Sequence, residues 1–317
     1  MFEKPFFVIL TNRCNLACPH CYNELDDIKS RKTKEYDTLS RERLQDLFYN
    51  LIEQGYKKGY FSGGEVLLRP DTPNILADAH GRGLKSALFT NGHLFSEDII
   101  AYLKESGLDE VRISLNELAW IKNRAQYEKI FAKQTRWVKH LVTVGLSVGI
   151  VYIISGANSQ YVIETLRRVR EMGAGMKVQP LFLPDHLSGR SRVTTWKITE
   201  EEWNQMIDGV VAYSEKTDYK QEEAHYKVYN NPWKILRYIR FLKDFFLMGA
   251  RPDYCPTGPI LVLDSDGYFH PCLFRFDLVC GHISEDDTVK NIREIVDNHE
   301  ELRTAPCFKE ECLSAYR

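Results

Sequence analysis

Three cysteines stand close together at Cys14, Cys18 and Cys21, with Pro19 and His20 between the last two. Thiolates spaced Cys-x3-Cys-x2-Cys can bind three irons of a cubane [4Fe–4S] cluster, whose full protein ligand set is four. The fourth iron is then open to a small molecule. Zinc is the competing reading: it usually takes four ligands, and His20 could supply one, but this spacing does not resemble a usual zinc motif. Five more cysteines, Cys255, Cys272, Cys280, Cys307 and Cys312, follow a stretch that has none. A disulfide framework is unusual in a reducing compartment, where clustered cysteines more often hold metal.

A second constellation is Gly63-Gly64-Glu65. Two glycines let a backbone approach a ligand closely, and a carboxylate suits an ammonium group. Thr90-Asn91-Gly92 and Ser114-Leu115-Asn116 stand at comparable points further on. Near the end, Asp266-Gly267 is a two-residue turn signal between two short apolar runs, so the hairpin it makes brings Cys255 and Cys272 towards each other.

These residues fall where strands end. Apolar runs at 6–11, 60–62, 85–90, 111–115, 146–154 and 177–183 read as strands, separated by helix-period segments. Ser40, Asp71 and Ser96 are placed to cap helices, and Tyr127 to Val142 reads as one long helix with an apolar face. Alternation at this spacing implies parallel βαβ units with right-handed crossovers. Six units are too few for an eight-stranded barrel, so the fold expected is α/β, a partial (β/α)6 TIM-like barrel; a doubly wound open sheet competes. The divisions expected are a core over 1–198, a helical linker region over 199–250, and a small C-terminal auxiliary-cluster domain over 251–317.

The Cys-x3-Cys-x2-Cys run followed by the aromatic Tyr22, with Gly63-Gly64-Glu65 after the second strand, resembles the signature of the radical S-adenosylmethionine superfamily. The resemblance implies a [4Fe–4S] cluster on Cys14, Cys18 and Cys21, and S-adenosylmethionine held through its amino group by Gly63, Gly64 and Glu65. It further implies contacts from Tyr22, Asn91 and Ser114; the family's usual acid at the third position of the last segment is Asn116 here, so its role is not carried over. Cys255, Gly267 and Cys272 resemble the opening of a SPASM or twitch auxiliary-cluster domain. That implies one auxiliary [4Fe–4S] cluster on Cys255, Cys272, Cys307 and Cys312, although the closing pair is two residues wider than the family's. Cys280 is open between a buried structural cysteine, a replacement ligand and a hydrogen-atom donor to a substrate radical. A four-cysteine zinc knob is the alternative for the whole tail.

The implied activity is reductive cleavage of S-adenosylmethionine to a 5′-deoxyadenosyl radical that abstracts a substrate hydrogen atom. Peptide modification, of the kind that matures ribosomal peptides, is the leading expectation. Small-molecule oxidation or rearrangement is the second, and a non-catalytic iron–sulfur electron-transfer protein the third. An external donor such as flavodoxin or ferredoxin is implied. The polar segment 184–230, with His186, Arg190, Arg192, Trp196, His225 and Tyr226, is expected to cover the barrel mouth. A formal net charge of −2 argues against nucleic-acid or membrane partners, and no apolar run approaches the ~18 residues of a bilayer span, so a cytoplasmic chain is expected.

Overall fold

The computed structural model of the 317-residue chain describes residues 5–18, 20–21, 39–181, 198–216, 232–248, 260–272 and 278–298. The chain forms two compact units. One comprises Met1–Thr90, Leu94–Val111 and Pro252–Arg317, the other Asn91–His93 and Arg112–Arg251.

The first unit begins with β1 (Pro5–Ile9), α1 (Arg41–Glu53), β2 (Lys58–Ser62), α2 (Thr72–Gly81), β3 (Lys85–Thr90) and α3 (Glu97–Glu105). Strands β1, β2 and β3 pair in parallel, with Pro5 to Ile9 opposite Lys58 to Ser62. Parallel strands are covered on both faces, which is why Phe6, Phe7, Val8 and Ile9 are all apolar and all buried. Phe6 packs with Phe48, Tyr56 and Phe61 on one face, each ring meeting it at 5.8–6.5 Å. Phe7, Ile9 and Val262 share the other. Burying such a side chain contributes about 2–3 kcal/mol.

Ser40 and Ser96 cap α1 and α3 as expected, accepting from Arg43 and Ile99 amides. Asp71 does not cap α2. Its carboxylate is taken by Arg69 through two bonds of 2.7 and 3.0 Å, which holds the Asp71 carboxyl below its ordinary range.

The C-terminal part of this unit holds β7 (Val262–Leu263), β8 (Tyr268–His270), β9 (Gly281–His282) and α9 (Asp286–Asp297). Strand β7 lies parallel to β1, and β7, β8 and β9 pair antiparallel, giving the order β3-β2-β1-β7-β8-β9. The turn is longer than the two-residue one expected. Asp264 and Tyr268 close it, and Gly267 takes the left-handed conformation at φ +97°. A three-residue loop ending in a left-handed glycine is the next commonest hairpin connection. Gln54 ties α1 to α9, donating to Val289 O and accepting from Arg293 N.

Strand β4 (Glu110–Ser114) leads into the second unit, which holds α4 (Arg124–Thr135), α5 (Val138–Thr143), β5 (Ser147–Ile154), α6 (Val162–Glu171), β6 (Gly175–Pro180), α7 (Glu200–Glu215) and α8 (Pro232–Met248). Strands β5 and β6 pair in parallel. The single long helix expected after β4 is instead a 3-10 turn at Asn116–Trp120 followed by α4 and α5. Thr135 donates its hydroxyl to Phe131 O, a back-bond that bends or ends helices. A Thr199–Glu202 capping box opens α7, satisfying two end amides reciprocally. Counted along the chain, β1 to β6 make the six strand–helix units expected.

Candidate functional site

Backbone hydrogen bonds join the loop after β1 to the loop after β2. Leu10 N–H donates to Ser62 O, Gly64 N–H to Thr11 O and Glu65 N–H to Arg13 O, each at 2.8 Å. This approach requires glycine twice. A Cβ on Gly63 would stand 2.5 Å from Thr11 O, and one on Gly64 would stand 2.7 Å from the Arg13 carbonyl carbon and 2.8 Å from Asn12 O. Neither glycine has positive φ, so crowding rather than backbone conformation sets the requirement. The surface that the two glycines meet is the chain leading into Cys14.

Glu65 is fully buried. Its Oε1 accepts from the Leu67 amide at 3.1 Å, capping a short 3-10 turn, and from the Thr90 hydroxyl at 2.8 Å. The carboxylate therefore couples the end of β2 to the end of β3. Arg69, only 4% exposed, adds a strut: its guanidinium donates to Leu10 O, to Leu39 O and to Asp71. A charged residue directly after the apolar run Val66-Leu67-Leu68 was the sequence signal for this role, and the motif reading passed over it.

Cys14, Cys18 and Cys21 are partly exposed thiols with no disulfide. Cys14 Sγ accepts from the Leu16 amide at 3.4 Å, and the Cys21 amide donates to Cys18 O at 3.1 Å. Among the described residues, no three His, Cys, Asp or Glu side chains are grouped to hold a metal ion. The structure thus sets the root of the cysteine loop and does not close its three sulfurs into a ligand set.

Asn91 and Ser114 belong to the second unit. Asn91 is buried and its Oδ1 accepts from the His93 amide, while Ser114 O accepts from Gln134 Nε2 at 3.4 Å. A pair that the sequence reading missed lies beside them: His93 Nε2 meets Glu117 Oε2 at 2.7 Å.

In the C-terminal hairpin, Cys272 and Cys280 are partly exposed and free of disulfide. The Cys280 amide donates to Phe269 O at 2.7 Å, and burial pushes its thiol up to about 11. Buried His270 joins Asp264 Oδ2 at 3.1 Å to the Leu278 carbonyl at 2.9 Å, and Asp264 Oδ1 accepts from the Asp266 and Tyr268 amides. Tyr22, Cys255, Cys307 and Cys312, with the 184–197 and 217–230 portions of the expected mouth segment, lie outside the described residues. No helix among the described residues is long and apolar enough to cross a membrane.

The family model of the Radical SAM superfamily matches residues 8–174. Among curated proteins, the Fe-coproporphyrin III synthase of Methanosarcina barkeri is 32% identical over 158 residues, covering 49% of this chain and 38% of that one. The PqqA peptide cyclase of Xanthomonas campestris is 31% identical over 167 residues, covering 52% of this chain and 43% of that one. The match thus spans less than half the length of either relative. A solved structure of anSMEcpe with bound AdoMet and Kp18Cys peptide superimposes with a TM-score of 0.65 at 16% identity, over 94% of this chain and 82% of that one, a likeness of fold.

Proposed function

Because the chain belongs to the radical SAM superfamily, we propose that it cleaves S-adenosylmethionine reductively and removes a hydrogen atom from a peptide substrate. The observation that carries this reading is the union of Gly63-Gly64-Glu65 with the loop bearing Cys14, a joint that roots that loop near the end of β1. S-adenosylmethionine and a [4Fe–4S] cluster are the superfamily's cofactors. The donor chemistry fits: the free thiols of Cys14, Cys18 and Cys21 are soft donors that would hold a cluster of this class and leave it one site for S-adenosylmethionine. When bound, the reduced cluster supplies the electron that breaks the carbon–sulfur bond and releases the hydrogen-abstracting radical.

The chain's own residues bind and orient. Glu65, rooted by Thr90 and Leu67, would supply a fixed hydrogen-bond acceptor for the methionine amino group. Gly63 and Gly64 admit the cysteine loop, and Tyr22, Asn91 and Ser114 are the further cofactor contacts that the family resemblance assigns. Cys272, with Cys255, Cys307 and Cys312, is assigned to one auxiliary [4Fe–4S] cluster in a SPASM- or twitch-like C-terminal region. Cys280 is assigned as a candidate hydrogen-atom donor to a substrate radical, beside the readings of a structural cysteine and a replacement cluster ligand. The reducing cytoplasm and a flavodoxin- or ferredoxin-type donor complete the assignment.

Peptide as substrate is favoured by the similarity to a PqqA peptide cyclase and by the peptide in the anSMEcpe structure. Similarity to Fe-coproporphyrin III synthase favours a small-molecule substrate as the second reading. The test is to supply the reconstituted chain with S-adenosylmethionine, dithionite and a pool of perdeuterated synthetic peptides. Deuterium in the 5′-deoxyadenosine is the expected outcome. Unlabelled 5′-deoxyadenosine alone would overturn the peptide assignment, and none at all would leave the non-catalytic electron carrier.

A further inference from the structure

We infer that Arg69 is a positioning residue for the cysteine loop: one guanidinium holds both ends of the segment that carries Cys14, Cys18 and Cys21. The role rests on the radical reading above. All the groups involved belong to the first unit. The segment departs just after β1 at Leu10 and returns at Leu39, one residue before the Ser40 cap of α1. Both carbonyls accept from Arg69: Leu10 O from Nη1 at 3.1 Å and Leu39 O from Nη2 at 2.7 Å. Leu10, Leu39 and Arg69 are all buried. A planar guanidinium carries its donors in a rigid fork, so covalent geometry sets the spacing of the two carbonyls.

The fork is itself fixed at its root and at its outer edge. Its root is the turn after Glu65, where Leu68 N–H donates to Glu65 O at 3.0 Å and Arg69 N–H to Val66 O at 3.1 Å. Its edge is Asp71, which accepts from Nε at 2.7 Å and from Nη2 at 3.0 Å. Bidentate pairs of this kind add geometric specificity to their energy. Asp71 stands at the N-cap of α2 yet makes no side-chain cap bond. A capping carboxylate ordinarily stabilises its helix; this one aims Arg69 instead. From the other side Arg13, the residue before Cys14, donates Nη2 to Leu68 O at 3.3 Å. Each of the two loops thus sends an arginine to a carbonyl of the other.

The main-chain bonds of Gly64 and Glu65 set how the segment departs, and Ser40 holds α1 through the Arg43 amide. Neither bonds the departing end to the returning one. Arg69 does, and it does so from the turn that Glu65 caps. One short turn therefore places both the carboxylate proposed for the methionine amino group and the ends of the loop proposed for the cluster. Groups behind metal ligands orient them, and losing such a group costs roughly 10–100-fold in metal affinity. Lysine does not replace the fork, because its ammonium is a point donor on a flexible stem.

The experiment compares full-length wild type, Arg69→Lys and Asp71→Asn, first without iron. Hydrogen exchange follows the amides of Leu10, Gly64 and Glu65, which close the joint, with α9 as the internal reference. Exchange at the three amides should be about tenfold faster in Arg69→Lys, the scale of one lost hydrogen bond to a charged group. The increase should be smaller in Asp71→Asn, and α9 should not change. Equal exchange in wild type and Arg69→Lys would overturn the proposal. So would an acceleration that α9 shares equally, since Arg69 would then be an ordinary stabilising residue. If Arg69→Lys does not fold, Asp71→Asn decides by the same outcomes. The chains are then loaded anaerobically with iron and sulfide and reduced. The electron paramagnetic resonance signal that S-adenosylmethionine perturbs should be lost to a chelator roughly tenfold faster in Arg69→Lys. Equal rates of loss would overturn the positioning role. A wild type whose signal S-adenosylmethionine leaves untouched would sink the radical reading alone and leave the exchange result standing.

Discussion

The two cysteine-bearing regions of the first unit depend on different critical contacts. The loop that leads into Cys14 is joined to the sheet through main chain, by three backbone bonds and two glycines whose missing side chains make room. The hairpin around Cys272 and Cys280 adds side-chain joints to its main-chain ladder: Asp264 accepts from two amides and meets His270, which reaches across to Leu278. A backbone joint tolerates changed side chains but not an added Cβ. A side-chain joint has the reverse vulnerability. The difference also separates the roles, because the first joint sets where a ligand loop begins and the second holds a hairpin whose flanking residues include Cys272 and Cys280.

The sharpest way to break this comparison is Gly64→Ala. A methyl group there meets Arg13 and Asn12 backbone, so the cysteine loop must move. A displacement near 1 Å at a reacting centre costs on the order of 10²-fold in rate, and 5′-deoxyadenosine release should fall by about that much. The C-terminal hairpin should keep its urea-unfolding behaviour in this variant. Second in size is Asp264→Ala, which strips three bonds and leaves His270 buried without its acid. Equilibrium urea unfolding should show a loss of about 3 kcal/mol, since removing one member of a buried pair exposes the cost of the other. A loss as small as that of a surface substitution would show that the hairpin is not held by this pair. Smallest is the Cys280 thiol. Its ordinary value of 9.0 is raised to about 11, so the stabilisation from burying it neutral is fully present below pH 9 and fades as pH climbs towards 11. Iodoacetamide labelling of Cys280 should therefore rise over that range. Labelling that is already fast at neutral pH would mark it as an ordinary exposed thiol.

Much of this was legible in the sequence, for identifiable reasons. Strands β1 to β6 announced themselves because buried parallel strands are apolar on both faces, as in Phe6-Phe7-Val8-Ile9. Ser40 and Ser96 declared their helices because a cap is a local interaction. Asp71 did not, since Arg69 two residues earlier outcompetes the helix end for its carboxylate, a contest that spacing does not reveal. The break after Thr135 was hidden because the apolar face continues through Trp137, Val138 and Leu141 while the backbone does not. At the site, the motifs marked Gly63, Gly64 and Glu65, but only the fold shows that the glycines meet the cysteine loop. His93 and Glu117 stand 24 residues apart and belong to no motif, so only the folded chain could pair them.

The most direct test of the central claim compares the wild type with a Cys14→Ala, Cys18→Ala, Cys21→Ala variant, both reconstituted anaerobically and reduced in the presence of S-adenosylmethionine. The account predicts methionine and 5′-deoxyadenosine from the wild type and none from the variant, which should still retain about four irons on its C-terminal cysteines. Equal cleavage by both, or none by a wild type shown to carry a complete cluster, would contradict it.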